Sequence, residues 1–159
     1  MRKRLEEDSM GELEVPEKSL YGAQTQRAVN NFPVSNLSMP EPFIRSLVIA
    51  KKAAAQANMN LGMLDKFRGT AIVSAAEKLL ESKEFMIHFP VDIFQTGSGT
   101  SSNMNANEVL ATVANNLTSY TVSPNDHVNC SQSSNDIIPS TIHISASLEL
   151  SSALLPALT

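Results

Sequence analysis

The sequence holds a single cysteine, Cys130, so no disulfide can close within the chain and a reducing compartment is the natural setting. Basic charge is not in excess: twelve Lys and Arg stand against sixteen Asp and Glu, and the net charge of −4 offers no positive field for nucleic acid. No run approaches the roughly 20 apolar residues that a membrane span requires. The basic opening MRKR is followed at once by Leu5, Glu6, Glu7 and Asp8, leaving neither the apolar core of a signal peptide nor a long acid-poor transit segment. The expected location is cytoplasmic, or the mitochondrial matrix in a eukaryote. Internal repeats and low-complexity tracts are also missing. What remains, 42% hydrophobic and 18% charged residues over 159 positions, is ordinary for one globular domain with room for the start of another. Partners are expected among small molecules and protein surfaces.

Residues 1–40 are broken by Gly11, Pro16, Gly22, Pro33 and Pro40 and contain the alternating run GELEV, which predicts an extended or β N-terminal arm. After Pro40 the pattern turns helical. Pro42 falls where a first turn tolerates it, and Phe43, Leu47, Ala50, Ala54, Ala57 and Leu61 recur at spacings of three or four. A second helix is expected over Lys66–Glu81, preceded by a break at Gly62 and Asp65, so that the two form a helical hairpin. Residues 82–99 read as irregular, a third helix starts near Thr100 or Ser101, and a last one starts near Asn135 or Asp136 with Pro139 early in it. That last helix is apolar on more than one face, as in a buried bundle, and Pro156 should kink it without ending it. The fold class is mainly α.

Two segments carry candidate chemistry. TGSGTSSN stands at the entry of the third helix, where backbone N–H groups lack intrahelical partners and the dipole end is positive. Gly97 and Gly99 allow close approach to the backbone, and Ser98, Thr100, Ser101 and Ser102 add hydroxyl donors, a set that suits a carboxylate. Helix capping by the same hydroxyls accounts for the composition equally well. The lysine that ends a phosphate loop is missing. SQSSND, residues 131–136, repeats the arrangement at the last helix with Ser133, Ser134 and Asn135, where a plain N-cap is the simpler account. Two such ends in one chain fit a ligand with two anionic groups. Asn103, Asn105 and Asn107 alternate and cannot all face one site. His88, His127 and His143 are isolated, Cys130 lacks a cationic neighbour in sequence, and no spacing typical of zinc ligands occurs; neither a metal nor another cofactor is expected.

The stretches DSMGELEVPEKSLYGAQTQRAVNNF, FQTGSGTSSNMNANEV and SPNDHVNCSQSSNDIIPSTIHIS together make the chain resemble the N-terminal third of the class II fumarate hydratases, in the fumarase and aspartase superfamily. Aspartases favour alanine at the position of Ser98 and threonine at that of Ser134, so both residues favour fumarase. The resemblance implies an N-terminal helical domain over residues 1–134 and, over 135–159, the first helix of a central helical bundle. It implies that Ser98, Gly99, Thr100, Ser133, Ser134 and Asn135 bind the carboxylates of fumarate or L-malate, and that the active protein is a homotetramer whose sites are shared between chains.

It also maps Ser123, Pro124, Asn125 and Asp126 onto a second, entrance dicarboxylate site. There the family's histidine is replaced by Ser123 and a common arginine by Tyr120, so the positive charge is lost and weak binding is expected. The family's catalytic serine motif SSxMPxKxN and its GRTH-like histidine segment do not occur in these residues, so no catalytic residue is assigned and the chain alone is expected to be inactive. Two alternatives stay open: a non-catalytic helical assembly module that kept the framework, and a related lyase acting on aspartate or argininosuccinate.

Overall fold

The computed structural model describes residues 2–159. Two strands, β1 (Lys3–Asp8) and β2 (Gly11–Pro16), pair antiparallel with Arg4 opposite Val15 and Asp8 opposite Gly11. One face of the hairpin is wet and the other rests on the protein through fully buried Val15. A two-stranded ribbon is marginal in water, so its tethers matter. The Arg4 guanidinium donates to the carbonyl oxygens of Pro16, Glu17, Ser19 and Tyr21 at 2.7–3.0 Å. Arg27 grips the carboxylate of Asp8 with two bonds of 2.9 Å and adds the Gly11 carbonyl at 2.8 Å.

Arg27 belongs to a helix, α1 (Ala23–Asn31), in a region expected to be extended. The correction has a tertiary cause. Nine residues make a marginal helix on their own, and no side chain of α1 caps its start. The carboxylate of Glu108, 86 residues beyond Gly22, does so instead: it accepts the backbone N–H groups of Gly22, Gln24 and Thr25 at 2.9–3.0 Å and the Thr25 hydroxyl at 2.5 Å.

Helices α2 (Glu41–Asn60) and α3 (Lys66–Glu81) form the expected hairpin. Asp65 caps α3, accepting from the N–H groups of Phe67 and Arg68 at 3.1 and 3.0 Å. The helices cross closely at Gly69, where a β-carbon would collide with the side chain of Met59. The apolar stripe of α2 is shifted from the expected one. Phe43, Ile44, Leu47, Val48 and Ala55 are buried, but Ala57 and Leu61 are exposed and Lys51 and Asn58 take buried positions. Phe67 is likewise outward, stacked on Tyr120 at 4.9 Å between ring centroids.

The stretch 82–99 has a 3-10 turn at Phe85–His88 and is pinned by Asp92, whose carboxylate accepts from the Ser35 N–H and hydroxyl and the N–H groups of Asn36 and Phe94. Helix α4 (Thr100–Asn115) runs through the centre, with Ala106, Val109, Leu110 and Ala114 fully enclosed. After a π-turn at Pro124–Val128, α5 (Ser134–Glu149) starts one residue earlier than expected and packs on α2 and α4. Only Ile137, Ile138 and Thr141 of α5 are buried, and farther along Leu148, Leu150, Leu154, Leu155 and Leu158 are about half exposed or more. Ahead of Pro156 the helix widens into a π-turn over Leu150–Leu154 and resumes as α6 (Leu155–Leu158). Proline has no N–H and its ring crowds the carbonyl four residues back, which fits the local change from α- to π-type hydrogen bonding without an end to the helix.

Candidate functional site

The entry to α4 is a strained turn. Ser98 and Gly99 both take left-handed backbone angles, φ 62° and 65°. A left-handed serine costs about 1–2 kcal/mol. Gly99 cannot be replaced easily, because a β-carbon there would come within 3.1 Å of Ile138 near the start of α5. The two helix starts are thus packed against each other.

The hydroxyl-rich run divides into two groups. Ser101 and Ser102 are buried and committed: the Ser101 N–H donates to Thr96 Oγ1 at 3.1 Å, the Ser102 N–H donates to Gln95 Oε1 at 2.8 Å, and Gln95 Nε2 donates back to the Ser102 hydroxyl at 2.9 Å. Two of the N–H groups expected to be free for an anion are therefore already taken by the loop. Ser98 and Thr100 remain on the surface with Gly99 between them.

At α5, Ser133 acts as the N-cap, its hydroxyl accepting the Asn135 N–H at 3.3 Å. Ser134 has a different partner. Its Oγ accepts from Asn103 Nδ2 of α4 at 3.1 Å, which leaves the hydroxyl proton of Ser134 free to donate. The same Asn103 amide donates to Asn129 Oδ1 at 3.2 Å, and Asn107, one turn on, donates to that oxygen at 3.1 Å. Asn105 points the other way, to the carbonyl of His88 at 2.9 Å. Ser133 and Asn135 are exposed and Ser134 is half-buried.

Sequence reasoning missed the group beneath this surface. Lys51 of α2 is fully enclosed, and its ammonium donates to Asn129 Oδ1 at 3.0 Å and Gln132 Oε1 at 2.8 Å. Burial pushes its pKa down to about 7. The available signal was its place four residues from Leu47 and four from Ala55, on the helix stripe that faces inward. Its neighbour Lys52 reaches the surface and pairs with Glu77 at 2.7 Å.

The entrance segment is closed on itself. The Ser123 hydroxyl donates to Asp126 Oδ2 at 2.9 Å and accepts the Asp126 N–H at 3.1 Å, while the Ser123 N–H donates to His127 Nδ1 at 2.8 Å. Pro124 and Asn125 border a cleft of about 360 Å³ whose other walls include Glu6, Glu7, Asp8 and Glu108. The histidines serve the fold or lie outside. His88 Nδ1 accepts the Leu20 N–H at 3.3 Å and burial lowers its pKa, and His143 is exposed. Among the described residues no three His, Cys, Asp or Glu side chains converge on one point as metal ligands, and no helix is long and apolar enough to cross a membrane.

Comparison with known proteins agrees with this framework. The chain is 66% identical over 155 residues to a protein named fumarate hydratase class II 2 from Pseudomonas aeruginosa, covering 98% of this chain and 34% of that protein. It is 55% identical over 157 residues to a class II fumarate hydratase from Xylella fastidiosa, covering 99% of this chain and 33% of that one. Among solved structures, a class II fumarase from Schistosoma mansoni superposes with a TM-score of 0.93 at 42% identity, over 99% of this chain and 34% of its own. A fumarate lyase:delta crystallin from Brucella melitensis gives a TM-score of 0.87 at 41% identity over 94% of this chain and 34% of its own. The chain thus spans about a third of the length of the curated relatives it matches. A family model described as Lyase matches residues 11–159, and the chain belongs to that family of lyases.

Proposed function

We propose that the chain is the carboxylate-binding N-terminal portion of a fumarate hydratase, which interconverts fumarate and L-malate. The observation that carries the reading is the joining of two helix starts: Asn103 of α4 holds Ser134 of α5, and Gly99 packs against Ile138. Ser98, Gly99 and Thr100 form one end of the site and Ser133, Ser134 and Asn135 the other. Hydration proceeds through a carbanion next to a carboxylate, whose charge spreads onto the carboxylate oxygens as an aci-carboxylate. Preorganised hydroxyls and helix-end amides stabilise such charge without a full counter-charge that would hold the product.

The proton-moving groups of the family lie in motifs outside these residues, so the chain supplies binding and no base. On this reading residues 1–134 form the first domain, residues 135–159 begin a central helical bundle, and the whole enzyme is a homotetramer. The half-exposed leucines of α5 and α6 suit a helix that other helices cover. Titration of the isolated chain with fumarate and L-malate, followed by amide NMR, tests the reading: shifts should concentrate at residues 98–100 and 133–136. Malate formation above background by the purified chain would overturn the assignment of a binding portion without a catalyst.

A further inference from the structure

Lys51 is a buried cation with no acid beside it. Among the described residues no carboxylate lies within ion-pair distance of it, and its two partners are neutral amide oxygens. An uncompensated buried charge is costly and survives where surrounding dipoles are turned toward it. Here two are: Asn129 Oδ1 and Gln132 Oε1 point at the ammonium; the side-chain Oδ1 atoms of Asn103 and Asn107, whose amides donate to Asn129, are buried with no donor of their own.

The network converges on Asn129. Lys51 Nζ donates to Asn129 Oδ1 at 3.0 Å, Asn103 Nδ2 donates to the same oxygen at 3.2 Å, and the second N–H of that Asn103 amide donates to Ser134 Oγ at 3.1 Å. Gln132, the other Lys51 partner, immediately precedes Ser133 in the chain. The short loop 129–132 is also held by α2 through Asn58, whose Nδ2 donates to the Cys130 carbonyl at 2.9 Å, and by its own bonds, Asn129 Nδ2 to the Gln132 carbonyl at 3.3 Å and Gln132 Nε2 to the Val128 and Cys130 carbonyls at 2.9 and 3.1 Å. Within that loop Ser131 is left-handed, with φ 56°. Such a loop keeps its aim only if something rigid holds it from below, and α2 does so through Lys51 and Asn58.

We propose that Lys51 is a positioning residue for the second carboxylate-binding segment: it anchors Asn129 and Gln132 and, through Asn103, fixes Ser134 as a hydroxyl donor. The inference rests on the dicarboxylate reading above and adds to it a residue far from the ligand surface.

The test is a fumarate titration of the 159-residue chain, read at backbone amides by NMR, for the wild type, Lys51→Met and Gln132→Ala. In the wild type the amides of 98–100 and 134–136 should shift together. In folded Lys51→Met the shared transition at both segments should need at least about tenfold more fumarate, the loss of one charge-assisted contact. A role confined to stability would lower the melting temperature and leave the affinity of the folded chain unchanged at both segments. If Lys51→Met does not fold, Gln132→Ala carries the test, because it removes one of the two acceptors at a half-buried loop position; a weakening of about threefold in the shared transition is expected. Equal affinities in the folded variants overturn the role of Lys51. Absence of shifts at both segments in the wild type overturns the dicarboxylate reading itself, and the role of Lys51 falls with it.

Discussion

Asn103 on α4 donates one amide N–H to the hydroxyl of Ser134 on α5 across 31 residues of sequence, at 3.1 Å. That bond ties together two helix starts that are each unremarkable as capped ends, and it decides which way the Ser134 hydroxyl can donate. Asn103→Ala should cost about 1–3 kcal/mol, because Ser134 and Asn129 lose a buried partner together. Urea denaturation gives the stability change, and a fumarate titration should show weaker binding at the start of α5.

Gly99 and Ser98 make a contrasting pair. Gly99→Ala meets both the left-handed angle and the Ile138 side chain, so a loss of about 2 kcal/mol or more is expected. Ser98→Gly relieves the angle and offsets it with a more flexible unfolded chain, so stability should stay level or rise by up to about 1 kcal/mol. If Ser98 binds a carboxylate, the same change weakens fumarate binding. Stability and affinity moving in opposite directions is the outcome to look for.

Glu108→Gln tests the remote cap of α1. The carboxylate accepts four hydrogen bonds, and an amide presents N–H groups to donors in place of one acceptor oxygen. A loss of about 2–3 kcal/mol is expected, with faster hydrogen exchange in Ala23–Asn31 than in α3.

Lys51 sets a pH dependence. Its native pKa is about 7 against 10.5 for an ordinary lysine, so between these values the unfolded chain holds a proton that the folded chain has released. Stability should therefore rise with pH across this window, by at most about 1.4 kcal/mol per pH unit, and level off above it. Urea midpoints measured across the window should climb for the wild type and stay flatter for Lys51→Met. A falling wild-type curve would contradict the burial of a cation.

The apolar residues of the last helical turns predict association. Leu148, Leu150, Leu154 and Leu155 are 46–52% exposed and Leu158 is 74% exposed. Sedimentation of the isolated chain should show concentration-dependent oligomers, reduced by Leu154→Glu combined with Leu158→Glu.

Much of the helical framework was legible in the sequence because its causes are local. Helix α3 begins and ends where expected, since Asp65 caps residues two and three positions away and its apolar residues repeat along one face. The same held for Pro42 at the start of α2 and for the continuation of the last helix past Pro156. The two hydroxyl-rich helix starts were visible too, as motifs and as helix ends. Which hydroxyls cap and which face outward was not visible, because Ser101 and Ser102 are claimed by Thr96 and Gln95 only once the loop has folded.

Tertiary structure alone decided the rest, for one physical reason: the partner that satisfies a group lies far along the chain. Helix α1 exists because Glu108 supplies its missing acceptor, and Lys51 turns inward because Asn129, 78 residues later, and Gln132 receive its charge. Local periodicity carries no trace of such partners. The chain's own sequence thus determined helices, caps and the residue types suited to a carboxylate; packing determined that the two ends meet, through Asn103 and Ser134, above a buried lysine.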